Sequence, residues 1–204
     1  MTFVGARRNW FLTFFGLGIV STSLVLGAQE EGTQNGEWPS YGGDLAHTRY
    51  SPLDQINGDN FNDLEVAWRF RTDNFGPTPE FRLQSTPLMV NGVLYTTAGT
   101  RRAAVALDAT TGEILWFHRY DEGERGAAAP RRLSGRGLTY LDDGGDGKIF
   151  YVTPGYHLIG LNAITGQRLD DFGNDGIIDL KTELDQDIDL VTGEIGLHAA
   201  PVAV

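Results

Sequence analysis

The chain has 204 residues, 41% of them hydrophobic and 11% aromatic, with 27 glycines and no cysteine. A formal charge of −11 argues against a nucleic-acid partner. The lack of cysteine excludes disulfides, thiolate metal sites, a cysteine nucleophile and a lipid-bearing N-terminal cysteine.

Residues 1–28 carry a targeting pattern. Arg7 and Arg8 precede an apolar run from Trp10 to Leu26, and small Gly27-Ala28 leads into polar Gln29-Glu30-Glu31. Charge, apolar stretch and small-residue exit in that order predict a signal peptide and export. The rival is an uncleaved membrane anchor, since the run nearly reaches spanning length. Arg7-Arg8 also fits twin-arginine export, although arginine pairs are common. Losing residues 1–28 removes two positive charges and leaves the mature chain at −13.

Residues 29–37 are polar and glycine-containing, and are predicted to be a disordered linker. From Trp38 to Pro52 the chain is turn-rich with anchoring aromatics, and Asn57 to Asp63 suits a short helical turn. Glu65 to Thr72 alternates strictly, which predicts a strand with Val66, Trp68 and Phe70 on one face.

The next stretch repeats. Leu88-Met89-Val90, Asn91-Gly92, Val93-Leu94-Tyr95 is a two-residue hairpin signal. Ala106-Leu107-Asp108-Ala109-Thr110-Thr111-Gly112-Glu113-Ile114-Leu115-Trp116 then reads as strand, tight turn, strand, with Asp108 opening the turn and Gly112 supplying positive φ. A degraded copy runs from Gly160 to Leu169, with Asn162 and Gly166 each 54 residues after their counterparts. Its upstream strand is Gly147 to Val152. Ser85-Thr86-Pro87-Leu88-Met89-Val90 returns as His198 to Val204, with Pro201 114 residues after Pro87.

A repeat of about 50–57 residues built from four short strands is a propeller blade, because one such sheet cannot bury both faces alone. The fold class is therefore all-β, a β-propeller of about two and a half four-stranded antiparallel blades over residues 38–204. Blade one spans about 84–120, a Gly-, Ala- and Arg-rich loop spans 121–135, and blade two runs from Gly137 to about Leu169. Residues 170–196 form an acidic insertion, and 197–204 begin a third blade. The insertion holds a further Asp189-to-Gly193 turn, so the turn motif alone is generic.

Chemistry-bearing clusters are few. Asp142-Asp143-Gly144-Gly145-Asp146-Gly147 lacks calcium-loop ligands at the third and twelfth positions, Gly144 and Thr153, and reads as a hairpin loop. Asp185, Asp187 and Asp189 read as a solvated rim rather than a metal site. His47, His118, His157 and His198 show no metal-helix spacing and no nucleophilic triad. Trp68 and Trp116 read as packing residues. Arg131, Arg132 and Arg136 form the densest basic cluster. Arg136, between Gly135 and Gly137, suits an anionic ligand or a surface balance to Asp142 and Asp143.

The Ala106-x-Asp108-x-x-Thr111-Gly112-x-x-x-Trp116 motif resembles the tryptophan-docking motif of the pyrroloquinoline quinone (PQQ)-dependent dehydrogenases, eight-bladed propellers of the bacterial periplasm. The Trp38–Pro52 segment, Ala67 to Thr72 and Ser134-Gly135-Arg136-Gly137 are similar too, so the resemblance covers nearly all of the mature chain. It points to the glucose-dehydrogenase-type branch. The alcohol branch has an adjacent cysteine pair where Pro130-Arg131 stands here.

Three cofactor-binding positions carry over. The family's quinone-binding arginine falls on Arg136. Its acidic contact three residues before the first blade's proline falls on Gln84, and a threonine contact of the alcohol enzymes falls on His198. The second docking motif departs from the pattern. Gly160 replaces alanine, Asn162 replaces aspartate and Asp170 stands at the tryptophan position, which predicts looser packing on the next blade.

The resemblance implies the N-terminal portion of a periplasmic enzyme that oxidises a CH–OH group of a sugar or alcohol. Its cofactors are PQQ and calcium, its electron acceptor a quinone or cytochrome, and membrane association is open. It places the calcium ligands and catalytic aspartate beyond Val204, so that no catalytic or metal residue is expected here and the chain alone is expected to be inactive. Eight blades need about 400 residues, which suggests a truncated frame or partial sequence. The rival is a non-catalytic propeller scaffold of outer-membrane assembly, opposed by Arg136 and by the missing lipidation cysteine. A WD-repeat domain is set aside, because the spacing is too long and no Trp-Asp dipeptide ends a strand.

Overall fold

In the first of two antiparallel sheets, β1 (Leu88–Val90), β2 (Val93–Ala98), β3 (Ala103–Asp108) and β4 (Ile114–His118) lie in sequence order. The second sheet repeats that order with β5 (Thr139–Leu141), β6 (Lys148–Val152), β7 (His157–Asn162) and β8 (Ile177–Asp179). The computed structural model describes residues 33–182 and 184–204. The signal-peptide or anchor expectation for residues 1–28, and residues 29–32 of the linker, lie outside them.

Local chemistry sets the meander. Val90 pairs with Val93 across Asn91-Gly92, where both turn residues have positive φ, the geometry a two-residue hairpin needs. Between β3 and β4, the Asp108 carboxylate accepts the Thr110 and Thr111 N–H groups at 2.9 and 2.8 Å. Asn162 does the same for Ile164 and Thr165 at 3.0 and 2.9 Å. A short acceptor side chain closes the turn either way.

Packing follows the alternation of β3. Ala104 and Ala106 face the second sheet in one cluster with Leu88, Tyr95, Trp116, Ile149, Tyr151, Ile159 and Leu161. Val105 and Leu107 face the other way, against Trp68, Phe70 and Phe75. Small alanines on one side let the sheets approach, and stacking buries what neither could bury alone.

Two tryptophans lock successive layers. Trp68 donates its indole N–H to the Ala109 carbonyl at 3.1 Å, and Trp116 donates to Ala163 at 2.8 Å. Each ring lies flat on the turn glycine. A Cβ on Gly112 or Gly166 would sit 2.6 Å from the indole, so no other residue admits the ring.

The structure departs from the sequence expectations in five places. Glu65–Thr72 forms no ladder among the described residues and Val66 is exposed, although Trp68 and Phe70 do face the first sheet. Residues 33–37 are seated rather than disordered. Thr33 is only 2% exposed and bonds the Tyr50 carbonyl, and the Glu37 carboxylate accepts the Asn91 N–H at 3.0 Å. The loop after blade one contains a short helix, α1 (Gly123–Ala128).

Blade two does not end near Leu169. Arg168 makes one bridge to Leu161, the chain then turns out through 170–176, and β8 resumes against β7 inside the presumed insertion. Phe172 from that excursion packs on Phe150 at 5.1 Å and lies against Gly160, holding β8 in place. Residues 197–204 form no strand among the described residues.

Candidate functional site

Gln84, Arg136 and His198 lie far apart in sequence and meet at one place. Thr86 donates its N–H to the Arg136 carbonyl at 3.0 Å, and Arg136 donates its own to the His198 carbonyl at 3.0 Å. The three segments thus run side by side, which gathers one side chain from each.

All three line a cavity of about 280 Å³, together with Arg82, Pro130, Arg131, Arg132 and Leu133. His198 Nε2 stands 2.8 Å from Gln84 Oε1. The Gln84 carbonyl is an acceptor, so the ring donates there and leaves Nδ1 as an acceptor. Nδ1 is buried and has no partner. Burial, then Arg102, Arg131, Arg136 and Arg82, hold the His198 pKa below its usual value, so the ring is neutral near pH 7.

Arg136 donates to the Tyr41 hydroxyl at 3.0 Å. It does not balance Asp142 or Asp143, because Asp143 is turned to Lys148 at 3.5 Å and to its own loop amides. Among the described residues no carboxylate lines the cavity, whereas four arginines do. An anionic ligand is what this lining fits.

Sequence reasoning missed the groups that hold the walls. Glu80 accepts the Gly99 N–H at 2.9 Å and the Ser134 N–H at 3.2 Å. Arg102, 3% exposed, donates to the carbonyls of Arg131, Leu133, Val152 and Leu197 at 2.8–3.0 Å. Burial lowers its pKa to about 10, with Glu122 and Tyr151 acting the other way, so it stays charged at neutral pH. Nothing in the spacing of Arg101-Arg102 distinguishes the half-buried arginine from the buried one. At the other end of the loop, Arg125 on α1 grips Asp179 with two bonds of 2.6 and 2.7 Å. That grip, opposed by burial and helped by the Lys181 amide, lowers the Asp179 pKa to about 2. Glu122 accepts from Thr153, Gly155 and His157 at 2.6–2.8 Å.

Among the described residues no three His, Asp or Glu side chains converge as a metal site, and no helix is long and apolar enough to cross a membrane.

The family model described as "Glucose/ethanol/alcohol dehydrogenase, beta-propeller domain" (PQQ) matches residues 38–204. The alcohol dehydrogenase (quinone) dehydrogenase subunit of Gluconobacter oxydans (strain 621H) is 38% identical, over 72% of this chain and 18% of that protein. Quinoprotein glucose dehydrogenase A of Acinetobacter calcoaceticus is 31% identical, over 74% of this chain and 21% of that protein. The quinohemoprotein alcohol dehydrogenase structure from Comamonas testosteroni superposes with a TM-score of 0.52 at 32% identity, over 64% of this chain and 18% of that one. The chain thus spans about a fifth of the length of the curated relatives it matches. Its two stacked four-stranded sheets, docked through tryptophans, are part of a propeller, and the chain belongs to the PQQ-dependent glucose/ethanol/alcohol dehydrogenase β-propeller family.

Proposed function

We propose that residues 38–204 form the N-terminal portion of an exported, periplasmic quinoprotein dehydrogenase. It oxidises the CH–OH group of a sugar or alcohol and passes electrons to a quinone or a cytochrome. The observation that carries this reading is the convergence of Gln84, Arg136 and His198 on one arginine-lined cavity.

PQQ, when bound, supplies the two-electron acceptor. Arg136, Arg131, Arg132 and Arg82 would hold its carboxylates. Gln84, neutral where the resemblance expects an acid, removes a like charge from beside those carboxylates. His198, kept neutral, lines the cavity and holds Nδ1 as a buried acceptor without a partner among the described residues. Calcium belongs to the reading with ligands from outside residues 38–204. Relatives named as glucose and as alcohol dehydrogenases both match, and Pro130-Arg131 in place of a cysteine pair favours the glucose-type branch. Export rests on Arg7-Arg8 and the apolar run that follows, and an uncleaved anchor would add membrane association.

Titrating the full chain with PQQ tests the reading. Saturable displacement of the quinone absorbance is expected, and Arg136→Ala should weaken binding about tenfold or more, the scale of one charge-assisted hydrogen bond. A chain that leaves the absorbance unchanged overturns the cofactor reading and favours the non-catalytic scaffold. With PQQ and calcium the chain alone should not turn over sugars or alcohols; measured turnover would remove that part of the proposal.

A further inference from the structure

Arg102 sits at the tip of the β2–β3 hairpin, outside the cavity, with a left-handed backbone at φ 50°. A buried arginine is ordinarily paired with a carboxylate. Among the described residues no carboxylate makes an ion pair with this one; its partners are four main-chain carbonyls.

Those carbonyls are not scattered. Arg131 and Leu133 belong to the loop that carries Arg131, Arg132 and Arg136 into the cavity, and Leu197 is the residue before His198. Val152 ends β6 of the second sheet. The guanidinium also lies directly beneath Gly135, where a Cβ would come within 2.9 Å of its Cζ. One planar group therefore fastens both walls of the cavity to the hairpin of the first sheet and to the end of the second. A rigid fork suits this task and a single ammonium does not, because the donors must point in fixed directions within one plane.

We propose that Arg102 is a positioning residue for the quinone pocket: its fork, bonded to four carbonyls, sets the spacing between the Arg136 wall and the His198 wall. The inference rests on the cofactor reading above for its ligand, and on hydrogen-bond geometry alone for its mechanical part. Arg102 does not line the cavity; it acts through the Gly135-Arg136 and Leu197-His198 backbones. Removing it frees the two walls to drift apart, and the carboxylate contacts lose their common frame.

The test uses the full chain and Arg102→Lys, which keeps the charge and loses the fork. PQQ affinity is expected to fall about 10- to 100-fold, the range seen when supporting-shell partners are removed. The absorbance of the bound quinone should shift, while near-ultraviolet dichroism of the docked tryptophans stays unchanged. Backbone amides of 131–136 and 197–198 should exchange faster, and those of β2 and β6 should not. Arg102→Ala with added methylguanidinium should recover affinity, whereas sodium chloride at the same concentration should not.

Unchanged affinity and unchanged exchange in Arg102→Lys overturn the inference, as does equal rescue by salt. A loss of affinity that only follows global unfolding of both variants also overturns it. If the unaltered chain does not bind PQQ, the cofactor reading fails. Amide exchange then still decides whether Arg102 clamps the two walls.

Discussion

The two sheets share a strand plan and differ in what covers them. The first is sandwiched: β3 is buried along almost its whole length, between the second sheet on one side and Trp68, Phe70 and Phe75 on the other. The second packs its Ile149, Tyr151, Ile159 and Leu161 face on the first, while on its far face Phe150 packs against Phe172. The junctions differ in step. Trp116 is 8% exposed and docks between the two sheets, Trp68 docks from an unladdered segment, and Asp170 replaces the next tryptophan. A blade in this family is stable through its neighbours, so coverage rather than strand propensity ranks its stability.

Trp116→Ala is the strongest way to break that comparison. It removes a buried indole and leaves the Ala163 carbonyl without its donor, at a cost of about 4 kcal/mol in denaturant unfolding. Trp68→Ala, half-buried on its docking glycine, should cost about 2 kcal/mol. Equal costs would mean that the sheet–sheet junction is no tighter than the leading one.

Solution pH probes the same junction. His118 ends β4, with its Nδ1 3.0 Å from the Tyr151 hydroxyl. Burial, helped by Arg168, lowers its pKa to about 4. An unfolded histidine titrates near about 6.5, so between roughly 6.5 and 4 the unfolded chain binds the extra proton. Stability present above that window is therefore lost as pH falls through it, by about 2 kcal/mol once partial exposure is discounted. His118→Gln should flatten the unfolding free energy over this range. A profile as steep as the unaltered chain's would place the titration elsewhere.

Phe172→Ala tests the far face of the second sheet. The ring is half-buried against Phe150 and Gly160, so its loss should cost about 1.5 kcal/mol and loosen β8 ahead of β6 and β7. Uniform loosening of the whole sheet would show that β8 is held instead by the Arg125–Asp179 pair.

How much of this was legible in the residues depends on whether the signal was local. The β1–β2 hairpin is written in Asn91-Gly92 between apolar triplets, and both docking turns in Asp108 or Asn162 followed by Thr-Gly. These are short-range rules, and they hold. Glu65–Thr72 has the strand pattern but no partner edge within the described residues, since alternation specifies a face and not a neighbour. β8 was hidden because eight residues, 169–176, separate Arg168 from Ile177, and no local rule bridges such an excursion. Gln84, Arg136 and His198 were found through the family motif; spacing alone would not have united them. Arg82, Glu80 and Arg102 were missed because their roles depend on contacts with segments tens of residues away.

The third turn of this kind, at Asp189, gives the finest version of the comparison. Asp189 accepts the Val191 and Thr192 N–H groups at 2.9 and 2.6 Å, the same pattern as Asp108 and Asn162. Yet no ladder flanks it among the described residues, and no tryptophan rests on Gly193. It is tied down instead by Lys181, whose ammonium donates to the Leu190 and Gly193 carbonyls at 3.1 and 3.0 Å. The turn is therefore a local closure, while the Asp108 turn is the platform on which Trp68 sits. Asp108→Ala should lower the unfolding midpoint measurably. Asp189→Ala should leave that midpoint where it is and raise amide exchange only at residues 190–193. A midpoint that falls equally in both variants would mean that the turn itself, and not the tryptophan resting on it, carries the stability.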